Sequence, residues 1–282
     1  MSAPWNPYRI RDLEQHLSER DVAILENLER FRLLTTRQLQ RLHFAASPLG
    51  NHATVSAATR ATTRVLTRLQ ERSVITSLAR RIGGLQPGST STVWQLAAAG
   101  ERYLRARRGD PDRRKFTEPG NAFISHTLAV ADVAVTVLEQ ARAGAYEVLE
   151  LETEPTCWRT FSGSGATTLR LKPDLLIVTA DNTTETHCFV EVDRGTEHLP
   201  AVVRKCQLYQ RYFSDGTEER IRGLFPAVVW LAPDQRRAEH IDAAIRAERA
   251  LEAELFSTAP VAHTLEHLAP YTTSLTSKGG TP

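Results

Sequence analysis

Residues 171–194 read LKPDLLIVTADNTTETHCFVEVDR, and this stretch decides the class of the second half of the chain. Two β-rich runs, Leu169–Thr179 and His187–Asp193, flank Asp181-Asn182-Thr183-Thr184, residue types that favour a turn. Side chains alternate along a strand, so Lys172 and Asp174 share one face, as do Glu191 and Asp193. If the runs pair as a hairpin, Asp174, Glu191 and Asp193 converge at one end. Hard oxygen ligands in that number suit Mg²⁺ or Mn²⁺, an ion that polarises a phosphodiester and activates a water. Lys205 lies a helix turn into the next element, placed to reach back over the cluster, and Lys172 is a second candidate ammonium. The chain has four lysines beside 31 arginines, and two of them fall here. A compact ammonium that can lose its proton does not replace a guanidinium at random. The same residues also read as an ion-pair cluster, with Lys205 neutralising Glu191 and Asp193 in a scaffold without chemistry.

Outward from this core, helices and strands alternate. A helix over Ala122–Ala143 carries Leu128, Val130, Ala131, Val135 and Leu138. A strand covers Tyr146–Glu154, a helix Pro200–Phe213, a buried strand Ala227–Leu231 and a long polar helix Asp234–Phe256. That order implies a mixed α/β sheet spanning 122–258. Residues 259–282 read as a flexible tail. Glu150, Glu152 and Glu154 alternate onto one face, as a further ligand or as an edge facing water. His126, near a helix N-terminus, reads as structural. Tyr209 and Tyr212 lack the histidine triad of a tyrosine strand transferase, and the sequence carries no phosphate loop of the Walker type.

The first part, 15–108, has a different order: three helices, a hairpin, a helix. Ser18 with Asp21 forms a capping-box start ahead of Val22, Leu25 and Leu28. Thr36 is the expected cap of a short helix carrying Leu39 and Leu42. A third helix, Ala57 to Arg72, turns Val65, Leu66 and Leu69 inward. On its opposite side stand Arg60, Thr63, Arg64, Thr67 and Arg68, at spacings that share a face. Such a face offers arginine forks for guanine edges and phosphates, and short hydroxyls for phosphate oxygens. Runs Val74–Arg81 and Thr90–Leu96 form a hairpin with Arg80 and Arg81 in its wing, within reach of backbone phosphates. Ala97 to Arg108 closes a winged helix-turn-helix.

Residues 109–121, rich in charge, Pro and Gly, read as a linker. Residues 1–115 hold 20 Lys+Arg against 10 Asp+Glu, whereas 116–282 hold 15 against 23, so a net +2 conceals halves of opposite sign. The basic half is a footprint for a polyanion, most simply double-stranded DNA. No run approaches the ~18 apolar residues of a membrane span. Cys157, Cys188 and Cys206 fit neither a disulfide framework nor a zinc site, which suits a reducing cytoplasm.

Pro173-Asp174, the strand pair and Glu191-Val192-Asp193 resemble the PD-(D/E)xK nuclease fold. Asp174 and Glu191 match that pattern, Val192 is its spacer, and Asp193 stands where its lysine belongs. Some members carry that lysine on the following helix, where Lys205 lies. Across roughly 15–235 the chain resembles the replication-relaxation family of plasmids, conjugative elements and phages. The likeness rests on Trp94-Gln95-Leu96-Ala97-Ala98-Ala99-Gly100-Glu101-Arg102-Tyr103-Leu104, His126-Thr127-Leu128-Ala129-Val130-Ala131-Asp132-Val133, Lys172-Pro173-Asp174 and Glu191-Val192-Asp193. The resemblance implies an α+β protein, a winged helix-turn-helix joined to a PD-(D/E)xK-like α/β domain. It also implies a part in replication, relaxation or transfer of a mobile element. Three functions follow as expectations: DNA binding in that control, a Mg- or Mn-dependent endonuclease, or an adaptor docking replication or relaxosome proteins. A homodimer and no membrane partner are expected as well.

Overall fold

The structure, a computed structural model, describes residues 7–78, 82–83, 90–110, 121–163, 165 and 167–270. The chain divides into two compact units, Met1–Val135 and Thr136–Pro282.

In the first unit α1 (Pro7–His16) precedes α2 (Glu19–Phe31), β1 (Leu34–Thr35), α3 (Thr36–His43) and α4 (Val55–Glu71). There follow β2 (Ile75–Ser77), β3 (Ile82–Gly83), β4 (Thr90–Ser91), β5 (Val93–Leu96) and α5 (Ala98–Arg108). Ser18 caps α2 in a full capping box with Asp21. The cap of α3 is Thr35 and not Thr36: Thr35 is extended, and Gln38 returns its side chain to the Thr35 amide. The Thr36 hydroxyl instead accepts from Trp94 Nε1 at 2.9 Å, tying α3 to β5. β5 lies between β1 and β2, antiparallel to both. Ile24, Leu25, Leu28, Leu39, Ala58, Leu66 and Leu69 are buried, which fixes the outer face of α4 as the polar one. Of the expected strand Val74–Arg81, β2 takes Ile75–Ser77, and Arg80 and Arg81 lie outside the described residues.

Helix α6 (Asn121–Arg142) crosses the division between the units. The sequence assigns it to the second domain, but its first half packs on the first unit. Ile124 joins Leu33 and Val93 in an apolar cluster. Gln38 donates to the Leu128 carbonyl at 2.9 Å, and Arg41 pairs with Asp132 at 2.9 Å. Ile124, Leu128 and Asp132 recur every four residues, one stripe of a helix.

In the second unit come β6 (Glu147–Thr153), β7 (Arg159–Ser162), β8 (Thr168–Leu171), β9 (Leu175–Ala180) and β10 (Glu185–Val192). Then follow α7 (Leu199–Asp215), α8 (Thr217–Arg222), β11 (Ala227–Ala232), α9 (Gln235–Ala247), β12 (Phe256–Pro260) and α10 (Thr264–Leu268). Five strands form one sheet in the order β12-β11-β10-β9-β6. β10, β11 and β12 run parallel, and β9 is antiparallel to β10 and β6. The single strand expected over Leu169–Thr179 is two strands in two sheets. Pro173, which has no N–H to give a ladder, stands between β8, paired with β7, and β9, in the main sheet. The helix expected to reach Phe256 ends at Ala247, and Phe256–Pro260 forms an edge strand beside β11. The segment read as a tail from 259 holds the end of β12 and α10, which is tied to the sheet by Thr179 Oγ1 donating to Leu268 O at 2.7 Å. Both differences have one cause: Phe256 and Ala259, three apart and so on opposite faces of the strand, are buried once the segment pairs with the edge of β11.

Candidate functional site

Two sites can be built from these elements, one in each unit. In the first, Thr54 caps α4 by accepting from the Ala57 amide at 3.1 Å. Arg60, Thr63, Arg64 and Thr67 are exposed along the helix. Arg60 donates to Ser56 Oγ at 2.8 Å, an i,i+4 contact at the exposed surface of the helix. Arg68 differs from the other four. Its guanidinium donates to the buried carboxylate of Asp21 at 2.5 Å, bracing α4 on α2.

The second site lies at the end of β9 and β10. One step past the Leu175–Val190 pair, the register sets Asp174 opposite Glu191. Asp174 donates its amide to Val190 O at 3.1 Å and accepts the Val192 amide on Oδ2 at 2.7 Å. Glu191, 1% exposed, faces α7. Its Oε2 accepts from Lys205 Nζ, and its Oε1 accepts from the Tyr209 hydroxyl at 2.6 Å. Lys205 and Tyr209 are four apart and share one face of α7. Burial pushes the Glu191 carboxyl upward, opposed by Lys205 and reinforced by the Asp174 charge. Burial draws the Lys205 ammonium down, but Glu191 and Asp174 outweigh it and hold its proton more tightly than usual.

Asp193 takes a different partner. Arg237, at the start of α9, donates through Nε to Oδ2 at 2.7 Å and through Nη2 to Oδ1 at 3.2 Å. The Gly195 amide adds a third donor at 3.0 Å. The hairpin therefore brings Asp174 and Glu191 together, while α7 claims Glu191 of β10 and α9 claims Asp193 just past its end. Lys172 is exposed, with its ammonium 4.6 Å from the centre of the Trp158 ring. Glu150 and Glu152 are ion-paired with Arg222 and Arg159 at 2.6 and 3.0 Å.

Whether a divalent ion fits is a matter of donors. The two Glu191 oxygens and the two Asp193 oxygens already accept protein N–H or O–H groups. An ion would have to displace Lys205 and Tyr209 before reaching Glu191. Among the described residues no three His, Cys, Asp or Glu side chains are grouped as a metal ion requires. The donor set thus does not suit an ion in this arrangement.

The sequence matches the replication-relaxation family over residues 25–228. The chain belongs to the replication-relaxation family. No curated protein and no solved structure matches it. Among the described residues of this replication-relaxation protein, no helix is long and apolar enough to cross a membrane. Two members of its second site escape sequence reading. Arg237 lies 44 positions beyond Asp193 in a polar helix, where nothing marks it out. Tyr209 had a signal, its i,i+4 spacing from Lys205.

Proposed function

We propose that this replication-relaxation protein binds double-stranded DNA through a winged helix in its first unit, in replication, relaxation or transfer control of a plasmid or other mobile element. The observation that carries the reading is the exposed face of α4, where Arg60, Thr63, Arg64 and Thr67 stand opposite a fully buried stripe. The order α2, β1, α3, α4, β2, β5 supports a helix-turn-helix with a wing. The basic half of the sequence supplies the field that draws DNA to it. The full chain should bind duplex DNA with log K falling steeply with log salt, and Arg60→Ala with Arg64→Ala should weaken it. Salt-insensitive binding, or affinity untouched by the double substitution, refutes the reading.

In this reading the second unit is a PD-(D/E)xK-like scaffold whose carboxylates serve as internal ion pairs. One observation favours a second reading, hydrolysis at the same cluster: Lys205 reaches Glu191 from α7, the position that a displaced lysine needs. It ranks lower because the carboxylate oxygens are occupied. Incubation of plasmid DNA with the protein and Mn²⁺ or Mg²⁺ decides between them. Nicking lost in Asp174→Ala would establish the nuclease, and intact plasmid supports the scaffold.

A further inference from the structure

The β7–β8 hairpin presents a face that neither reading uses. Its register pairs Thr160 with Arg170 and Ser162 with Thr168, and one step further sets Trp158 opposite Lys172. These six side chains alternate onto one face of the hairpin, because side chains two apart on a strand point the same way. The other face is turned inward: Phe161 and Leu171 are buried, Leu169 packs against the core of the unit, and Arg159 is ion-paired with Glu152 and Glu218. On the outer face Thr160, Ser162, Thr168, Arg170 and Lys172 are exposed. None of the six is acidic, in a half of the chain whose net charge is negative.

Trp158 makes this more than a scatter of surface charge. Part of its ring packs against the core. The same ring carries Lys172 Nζ at 4.6 Å and the Arg170 guanidinium at 5.9 Å from its centre. Two cations held over one anchored ring are pre-positioned by the ring's negative face, so less side-chain freedom is lost when an anion arrives. Hydroxyls from Thr160, Ser162 and Thr168 line the same strip and suit phosphate oxygens. Cations and hydroxyls repeating along an extended strip match a polyanion of repeating phosphates better than a single anion.

We propose that the outer face of the β7–β8 hairpin is a second DNA-contact surface, with Arg170 and Lys172 on the phosphodiester backbone of a duplex. This goes beyond the α4 reading, since it gives the acidic half of the chain its own hold on DNA and gives Lys172 a role in binding. The contact is to the backbone, so it adds affinity without sequence preference.

The test uses the full chain and a fluorescein-labelled duplex of random sequence, with anisotropy read across a salt series. Arg170→Glu with Lys172→Glu should lower affinity at low salt by tenfold or more and flatten the slope of log K against log salt by about 2, one per lost phosphate contact. Arg170→Gln with Lys172→Gln should show the same flattening with a smaller loss, and it serves if the charge reversal fails to fold. Trp158→Phe should keep most of the affinity, whereas Trp158→Ala should lose part of it. Unchanged affinity and slope in both double variants, while Arg60→Ala with Arg64→Ala still weakens binding, overturns the hairpin proposal and leaves the α4 reading standing. Unchanged DNA binding with lost retention on a polyglutamate column overturns it in favour of an acidic protein partner. No DNA binding by the wild-type protein overturns both.

Discussion

Arg68 on α4 donates to the carboxylate of Asp21 on α2 at 2.5 Å, and Asp21 is 1% exposed. The same Asp21 accepts the Ser18 amide in the capping box at 2.9 Å. One carboxylate thus closes the start of α2 and fixes how α4 lies against it. Arg68 belongs to the scaffold of the arginine face, whereas Arg60 and Arg64 are its exposed part, the surface proposed to contact DNA.

This division predicts different phenotypes along one helix. Arg64→Ala should weaken DNA binding while leaving thermal stability within about 0.5 kcal/mol of wild type, the usual range for an exposed position. Arg68→Ala should destabilise by about 1–3 kcal/mol, because a buried carboxylate loses a charged partner. Thermal melts and DNA titrations on both variants check this. Equal melting temperatures would show that the Arg68–Asp21 pair braces nothing.

Lys205→Ala should cost about 3–5 kcal/mol, because it leaves Glu191 buried with only the Tyr209 hydroxyl and the like charge of Asp174 nearby. Adding Glu191→Gln should recover part of the loss, since the uncompensated charge is then gone. Urea midpoints of the two single variants and the double measure the coupling. A Lys205→Ala protein as stable as wild type would point instead to a lysine kept for chemistry.

Alkaline pH should weaken the fold. Burial pushes the Cys188 and Cys206 thiols up to about 12 and Cys157 further, and it pushes the Tyr146 phenol to about 12. Unfolded thiols lose their protons near pH 8.5. Above that pH the unfolded chain binds fewer protons than the native one, so stability falls as pH rises, by up to about 1.4 kcal/mol per pH unit for each thiol. It is fully present below about 8.5. Urea unfolding from pH 7 to 10.5 should show a falling midpoint. A disulfide reagent at pH 8 should leave all three cysteines unreacted until the protein is unfolded.

Gly100 sits in the first turn of α5, against Val74 just before β2. A Cβ built there would lie 2.2 Å from the Val74 carbonyl oxygen, which already accepts the Ala97 amide at 3.0 Å. Gly100→Ala should destabilise by about 1–3 kcal/mol despite the better helix propensity of alanine. A higher melting temperature would mean that α5 shifts freely, contrary to this close approach.

The sequence by itself determined the elements whose pattern is local. The Ser18–Asp21 capping box, the two-sided α4 and the β9–β10 hairpin with Asp174 and Glu191 at its end all follow from spacings of a few residues. Period and turn chemistry act within one element or across one turn, so they are legible without the fold. Only the tertiary structure decided which charge meets which. It gave Arg68 to Asp21, Arg237 to Asp193 and Tyr209 to Glu191, and it made an edge strand of Phe256–Pro260. The reason is physical: a buried carboxylate takes its partner from whichever helix packs over it, and a strand needs a neighbour's edge. Neither the packing of α7 and α9 nor the edge of β11 is written in the spacing of the residues concerned.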